Sequence, residues 1–261
     1  MEIAFKNYKF NKNNLNIKFK SNTIIGITGN NYYNFINIFN IINKYTNVYI
    51  DNNKLNNKNI SFYKNKISYH TNLNKMNINL SIKDYLLSII IMNDIKLKDN
   101  IKKIKDSLII SNLKDIDINT NINDLSTSEK TLLTLAINLI YNSDLLILDD
   151  IYLGLDLNNI NKLNVLFNRL IDNYNKTIII VSSDQNRLYK YTKYMYFIND
   201  NNIVLEGKTI DTYKKINVLN KYNFKVPDSV LFINKVHKKK NIDLDYLQDI
   251  RDIMKDIYKH I

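Results

Sequence analysis

Three short runs constrain the fold most: Thr23–Thr28, Leu145–Leu148 and Thr177–Val181 are β-branched or apolar almost throughout. Each is too short for a buried helix, and helical patterning separates them in the chain. Strands buried on both faces read this way, and they occur in parallel sheets with helices packed on both sides. Segments 2–10 and 14–20 instead alternate, with Leu15, Ile17 and Phe19 on one face, as antiparallel strands do. Ile67–Tyr69 adds a further strand, and Tyr194–Ile198 with Ile203–Glu206 reads as a closing hairpin. Helices are expected over Phe35–Ile42, Ser81–Met92 (Ser81 as N-cap), Ile95–Ile110, Ser126–Ile140 and Asn158–Leu170.

With 261 residues the chain can bury a large core. No apolar run approaches the ~20 residues of a membrane span. Lysines interrupt the apolar residues of MEIAFKNYKF, so no secretory signal is expected there and a cytosolic location follows. The absence of cysteine excludes disulfides and thiolate chemistry. A net charge of +12 raises the question of a nucleic-acid surface. The lysines are scattered, however, and cluster only near Lys238, Lys239 and Lys240. Heavy use of lysine, asparagine and isoleucine together is what A/T-rich codons supply. After Gly207 the character changes: the single proline, Pro227, introduces the apolar stretch Val230–Val236. The tail places Leu247, Ile250, Met254, Ile257 and Ile261 at helical spacing, an amphipathic helix able to pack on its own domain or face a partner.

The stretch IIGITGNNYYNFINIF, 24–39, has the shape of a phosphate-binding loop: an apolar strand, a glycine-bearing turn, then a helical pattern. The positive charge of such a loop is missing, because no lysine follows until Lys44. Other features fall in order along the chain. DLLILDD ends a buried strand in Asp149 and Asp150, where α/β sheets place ligand groups. LGLD follows directly, NDLSTSEK opens the helix upstream, and KTIIIVSSD ends a strand downstream.

Taken in that order and spacing, these segments resemble the ATP-binding cassette (ABC) ATPases over most of the chain. GITGNNYYNFIN is similar to Walker A, NDLSTSEK to the signature loop, LLILDD to Walker B, LGLD to the D-loop and IIIVSSD to the switch strand. The segment from VLEGKTID through NKYNFKVPDSVLFINKVHKKKNIDLDYLQDI resembles the tail of energy-coupling factor transporter ATPases. The resemblance implies a P-loop NTPase-like α/β fold: a mostly parallel sheet with helices on both faces, N-terminal antiparallel strands and a C-terminal helical extension. It divides the chain into a nucleotide-binding domain at 1–210, with a helical subdomain at about 73–142, and an extension at 211–261 that would pair subunits.

Several positions depart from the family pattern. With Gly29 as the first glycine, the loop continues as Asn30, Asn31, Tyr32, Tyr33 and Asn34. Phe35 then stands at the lysine position and Ile36 at the Mg²⁺-binding hydroxyl. An alignment starting at Gly26 brings no lysine either. Losing a charge-assisted contact of this kind costs roughly 1.5–3 kcal/mol. Asp149 keeps the carboxylate that orients Mg²⁺ through water, while Asp150 is one methylene shorter than the general-base glutamate it replaces. Ser183 falls at the switch-histidine position and Asn72 at the Q-loop glutamine. The signature retains Leu125 and Ser126 but carries Thr127, Ser128 and Glu129, and Asp156 keeps the D-loop aspartate. Two of these have a plain structural reading as well: Asp149 as a sheet-edge residue and Ser126 as an N-cap. Phe10 or Tyr8 could stack on adenine or serve as an ordinary core or surface aromatic.

Cassettes of this family work as head-to-tail dimers, each ATP lying between one chain's Walker A and the other's signature. The expectation is therefore a degenerate subunit of an energy-coupling factor importer for a vitamin or metal ion, peripheral to the cytoplasmic membrane face. It would pair with a second ATPase subunit, as homo- or heterodimer, and with a transmembrane coupling protein docking near KMNINLSIKDYLL. ATP and Mg²⁺ would bind weakly, or only in a composite site. The alternatives are a divergent but active ABC ATPase and a nucleic-acid-associated cassette. No specific nucleic acid is expected, since the chain has neither a long coiled-coil insertion nor a second cassette.

Overall fold

In the computed structural model, residues 1–10, 13–30, 47–64, 66–93 and 99–259 are described. The strands are β1 (Ile3–Phe10), β2 (Asn13–Phe19), β3 (Ile24–Gly29), β4 (Val48–Ile50), β5 (Asn53–Lys54), β6 (Ile67–His70), β7 (Leu145–Asp149), β8 (Thr177–Val181), β9 (Tyr194–Asn199) and β10 (Asn202–Lys208). The larger sheet has the order β10-β9-β3-β8-β7-β6, and the smaller the order β2-β1-β4-β5. In the larger sheet β6, β7, β8, β3 and β9 are mutually parallel, and β10 closes one edge antiparallel to β9. The smaller sheet is antiparallel throughout.

Period-two alternation sorts the central strands onto two cores. Ile25, Ile27, Leu145, Ile147, Ile179 and Val181 pack with the N-terminal sheet and with Ile60 and Tyr63 of α1 (Ile60–Lys64). Leu146, Leu148, Ile178 and Ile180 face the other way, into the core shared with the helices. That second core takes in α2 (Ile82–Met92), α3 (Asn100–Ile110), α4 (Thr127–Ile140) and α5 (Leu157–Tyr174). Ser81 caps α2 through Asp84 N–H, as its sequence suggests. The next helix is described from Asn100, where the Asp99 carboxylate caps it by accepting from Lys102 N–H; the expected start at Ile95 lies outside the described residues. The expected helix over Phe35–Ile42 lies outside the described residues.

Four glycines suffice because asparagine takes over their usual helix-ending role. Asn175 terminates α5 and Asn241 terminates α9 (Asp228–Lys240) in left-handed conformations, at φ 51° and 56°. Between α5 and α9 lie α6 (Gln185–Tyr191), α7 (Thr209–Tyr213) and α8 (Ile216–Lys221). Tyr213, Leu219, Phe224 and Val230 belong to the main core, whereas Ile233, Leu244 and Ile253 form a small cluster of their own. The last helix, α10, runs over Ile250–Tyr258 with Asp249 as N-cap, so the expected apolar position Leu247 precedes it. Leu247 instead offers its carbonyl to Tyr189 Oη at 3.2 Å, while Gln248 Nε2 donates to the Thr192 carbonyl at 2.9 Å. These bonds tie the tail to α6. Among the described residues, no helix is long and apolar enough to cross a membrane.

Candidate functional site

The parallel strands finish at one edge of the sheet. Val181 pairs with both Ile27 and Asp149, so Asp150 and Ser182 leave the sheet side by side at the level of Thr28, while Gly29 pairs with Ile198 one residue further along. Gly29 sits at φ 137°, and a Cβ there would lie 1.8 Å from the Ile198 carbonyl oxygen, so only glycine fits. Gly26 lies inside the strand, paired with Ile180 and Met195, which makes Gly29 the glycine of the turn. Asn30 N–H donates to the Ile198 carbonyl at 3.0 Å. Asn31, Tyr32, Tyr33, Asn34, Phe35 and Ile36 lie outside the described residues. Tyr8 is buried edge-on against Phe5 at 5.2 Å between ring centroids and is a core residue, not a stacking platform.

Asp149 is fully buried at the end of β7. Asp150 follows in a left-handed conformation, φ 45°, with its N–H on the Val181 carbonyl at 2.8 Å. Asn72, also fully buried, is turned onto this strand end. Its Nδ2 donates to the carbonyls of Asp149 at 3.1 Å and Asp150 at 3.2 Å, and its N–H reaches Asp149 Oδ2 at 3.3 Å. Asn72 also caps a single 3-10 turn, Leu73–Lys75. That turn delivers Lys75 Nζ to Asp149 Oδ1 at 2.8 Å, Asp149 Oδ2 at 2.9 Å and Asp150 Oδ2 at 2.8 Å. Burial pushes the Asp149 carboxyl above its ordinary range; the Lys75 ammonium and Asn72 N–H oppose that rise, and the neighbouring Asp150 adds to it.

The same turn reaches in the opposite direction. Asn74 Nδ2 donates to the Thr127 carbonyl and to Thr131 Oγ1, both at 3.0 Å, and Leu73 N–H donates to Thr134 Oγ1 at 3.0 Å. Residues 72–75 therefore strap the carboxylate edge to the first turns of α4. At its N-terminus, Ser126 and Glu129 form a capping box: Ser126 N–H donates to Glu129 Oε2 at 2.9 Å and Glu129 N–H to Ser126 Oγ at 3.3 Å. Leu125 is buried beneath it, and Thr127 packs against Gly154, where an added Cβ would meet Thr127 Cγ2 at 2.6 Å. Thr131 Oγ1 donates to the Leu153 carbonyl at 2.8 Å. The LSTS and LGLD segments thus pack as one unit. Asp156 caps α5, accepting from Asn159 N–H at 2.7 Å. Ser183 is exposed after β8, next to Ser182, whose N–H donates to the Ile27 carbonyl.

Sequence reasoning missed Lys75 and His70. His70 Nδ1 lies 2.7 Å from the Thr71 carbonyl, which only accepts, so Nδ1 carries the proton. Nε2 then accepts from Tyr85 Oη at 2.9 Å, linking the sheet edge to α2. Burial lowers the His70 pKa below 6.5, against the pull of the Thr71 hydrogen bond. The YHTN context offered a signal for His70. Lys75 lay only three residues beyond Asn72, but its partners stand 74 and 75 positions away.

Mg²⁺ demands near-octahedral oxygen ligands at about 2.0–2.1 Å, and P-loop NTPases hold it with a loop hydroxyl and the Walker B aspartate. The residues here do not fit it. An ammonium already engages both Asp149 oxygens and one Asp150 oxygen. Among the described residues no cluster of three or more His, Asp or Glu side chains forms a metal site.

The layered sheets, the helical subdomain and the strand-end carboxylates define the fold of the ABC ATPases. Solved structures bear this out. The ATP-binding cassette MJ0796, in a dimeric post-hydrolysis state bound to ADP and Pi, superposes with TM-score 0.63 at 20% identity, covering 79% of this chain and 98% of that one. The cbiO1 protein of Clostridium perfringens, part of the ABC transporter complex cbiONQ, superposes with TM-score 0.65 at 17% identity, covering 89% of this chain and 98% of that one. In sequence, the chain is 28% identical over 138 residues to the energy-coupling factor transporter ATP-binding protein EcfA2 of Mycoplasma mobile. That match covers 53% of this chain and 44% of the relative, less than half its length. No protein-family model matches the chain.

Proposed function

We propose that this protein is a degenerate ATP-binding cassette subunit of an energy-coupling-factor-type importer for a vitamin or metal ion. The observation that carries the proposal is the Lys75 ammonium seated between Asp149 and Asp150, in a chain whose 24–39 stretch lacks the lysine of a phosphate-binding loop. Both are incompatible with ordinary turnover at this chain's own carboxylate pair. In the head-to-tail arrangement of the family, the chain's remaining contribution is its other face: Ser126, Thr127, Ser128 and Glu129, offered to the nucleotide of an active partner ATPase. The partner supplies the loop lysine and the metal ligands, so ATP and Mg²⁺ bind in that composite site. Glu129, locked to Ser126 by the capping box, places a carboxylate where a neutral residue would better tolerate a phosphate.

The strap at 72–75 supports a coupling role, because it joins the strand end to the helical subdomain at 73–142. Exposed Met76 and Leu80 just beyond the strap suit a transmembrane coupling protein. The extension at 211–261, with exposed Ile250, Met254 and Tyr258 on α10, suits subunit pairing. The protein then works peripherally, on the cytoplasmic membrane face. The test is isolation of the tagged chain from detergent-solubilised membranes of cells expressing it. Recovery with a second cassette carrying an intact loop lysine and an integral membrane protein is expected. A chain recovered alone, hydrolysing ATP at a rate abolished by Asp150→Asn, would contradict the proposal.

A further inference from the structure

We infer that Lys75 is a built-in counter-cation whose ammonium fills the divalent-metal position of the Asp149–Asp150 pair, masking a latent metal site. The inference deepens the degenerate-cassette reading and rests on it for the role of the two carboxylates. An ammonium has three N–H donors, and Lys75 Nζ meets three carboxylate oxygens at 2.8, 2.9 and 2.8 Å. Asp149 is fully buried and the Lys75 side chain is 27% exposed, so this ion pair is only partly screened by solvent. Two adjacent carboxylates, one of them buried, repel and need a cation nearby to stay ionised together. In an active cassette the metal meets that need; here a side chain of the chain itself does.

The substitution is positional as well as electrostatic. Lys75 is held by the 3-10 turn that Asn72 caps, and Asn72 itself binds the backbone of Asp149 and Asp150. The turn is anchored on its far side through Leu73 and Asn74 to α4. A divalent ion entering this pair would have to eject an ammonium fixed from both sides.

The test is titration of the purified full chain with Mn²⁺ alone, reading the paramagnetic-resonance signal of the free ion. In the wild type the free signal follows total Mn²⁺, with no saturable uptake. Lys75→Gln takes up a single Mn²⁺ per chain, Asp149→Asn in that background abolishes the uptake, and Lys75→Arg, which keeps the charge, takes up none. Saturable uptake by the wild type that Asp149→Asn removes would overturn the inference. So would a folded Lys75→Gln chain that takes up no Mn²⁺. A second comparison needs no Lys75 variant: Mg²⁺ leaves the melting temperatures of wild type and Asp149→Asn unchanged, and a rise confined to the wild type would overturn the inference. All these measurements use the isolated chain, so absence of a transporter partner, which would sink the proposed function, leaves them unaffected.

Discussion

Lys75 Nζ lies 2.8 and 2.9 Å from the two carboxylate oxygens of Asp149, bridging residues 74 positions apart at the end of β7. Removing one partner of a buried ion pair leaves the other charge uncompensated and costs about 3–5 kcal/mol. Because the Lys75 side chain is 27% exposed and solvent screens part of the pair, Lys75→Ala is expected to lower the unfolding free energy by less than that, read by urea denaturation. Adding Asp149→Asn should recover part of the loss. A Lys75→Ala variant as stable as wild type would show that the pair carries no structural weight.

The two glycines of β3 separate strain from simple crowding. At Gly29 a Cβ meets a backbone carbonyl at 1.8 Å and the backbone stands at φ 137°; at Gly26 it meets the movable Met195 Sδ at 2.3 Å. Gly-only conformations and overpacking each cost of order 1–3 kcal/mol, so Gly29→Ala should lose roughly 3 kcal/mol or more, combining both. Gly26→Ala should lose less, because the methionine can turn aside. Equal losses at the two positions would contradict the geometry.

His70 makes stability sensitive to mild acid. Burial depresses its folded pKa below 6.5, so the unfolded chain takes up the proton first. The stability that neutral His70 contributes is complete above 6.5, declines as pH falls from there toward the folded value, and is lost below it. Denaturation midpoints should fall through this window in wild type and less steeply in His70→Asn. Parallel profiles in both proteins would refute the assignment.

Asp156 tests whether the aspartate of the LGLD segment is more than a cap within this chain. Loss of an N-cap side chain costs about 1 kcal/mol, whereas asparagine caps nearly as well as aspartate. Asp156→Ala should lose about that much and Asp156→Asn almost nothing, read by thermal or chemical unfolding of the isolated chain. A large loss in Asp156→Asn would reveal a need for its charge.

The sheet was legible because its strands follow a simple local rule. Ile24–Gly29, Leu145–Asp149 and Thr177–Val181 are buried on both faces, and continuous apolar runs announce that without knowledge of partners. Helix starts were legible where a capping side chain stood at the edge of the pattern, as at Ser81 and Ser126. The start of α10, capped by Asp249, shows a cap overriding apolar periodicity. The short strands β4 and β5 and helix α6 went unread, since few residues carry little periodicity. In the site, the strand-end carboxylates and Asn72 were recognisable by order. Lys75 was not, because its role arises from a 3-10 turn folding across to a distant strand, and nothing local distinguishes it from the chain's many other lysines.

Calorimetric titration of the purified chain with ATP, with and without Mg²⁺, tests the central claim most directly. A degenerate cassette whose carboxylates are held by Lys75 should show no saturable binding until ATP reaches millimolar concentrations, and Mg²⁺ should make no difference. Micromolar, Mg²⁺-dependent binding that Asp149→Asn abolishes would contradict the account and identify a working nucleotide site in this chain.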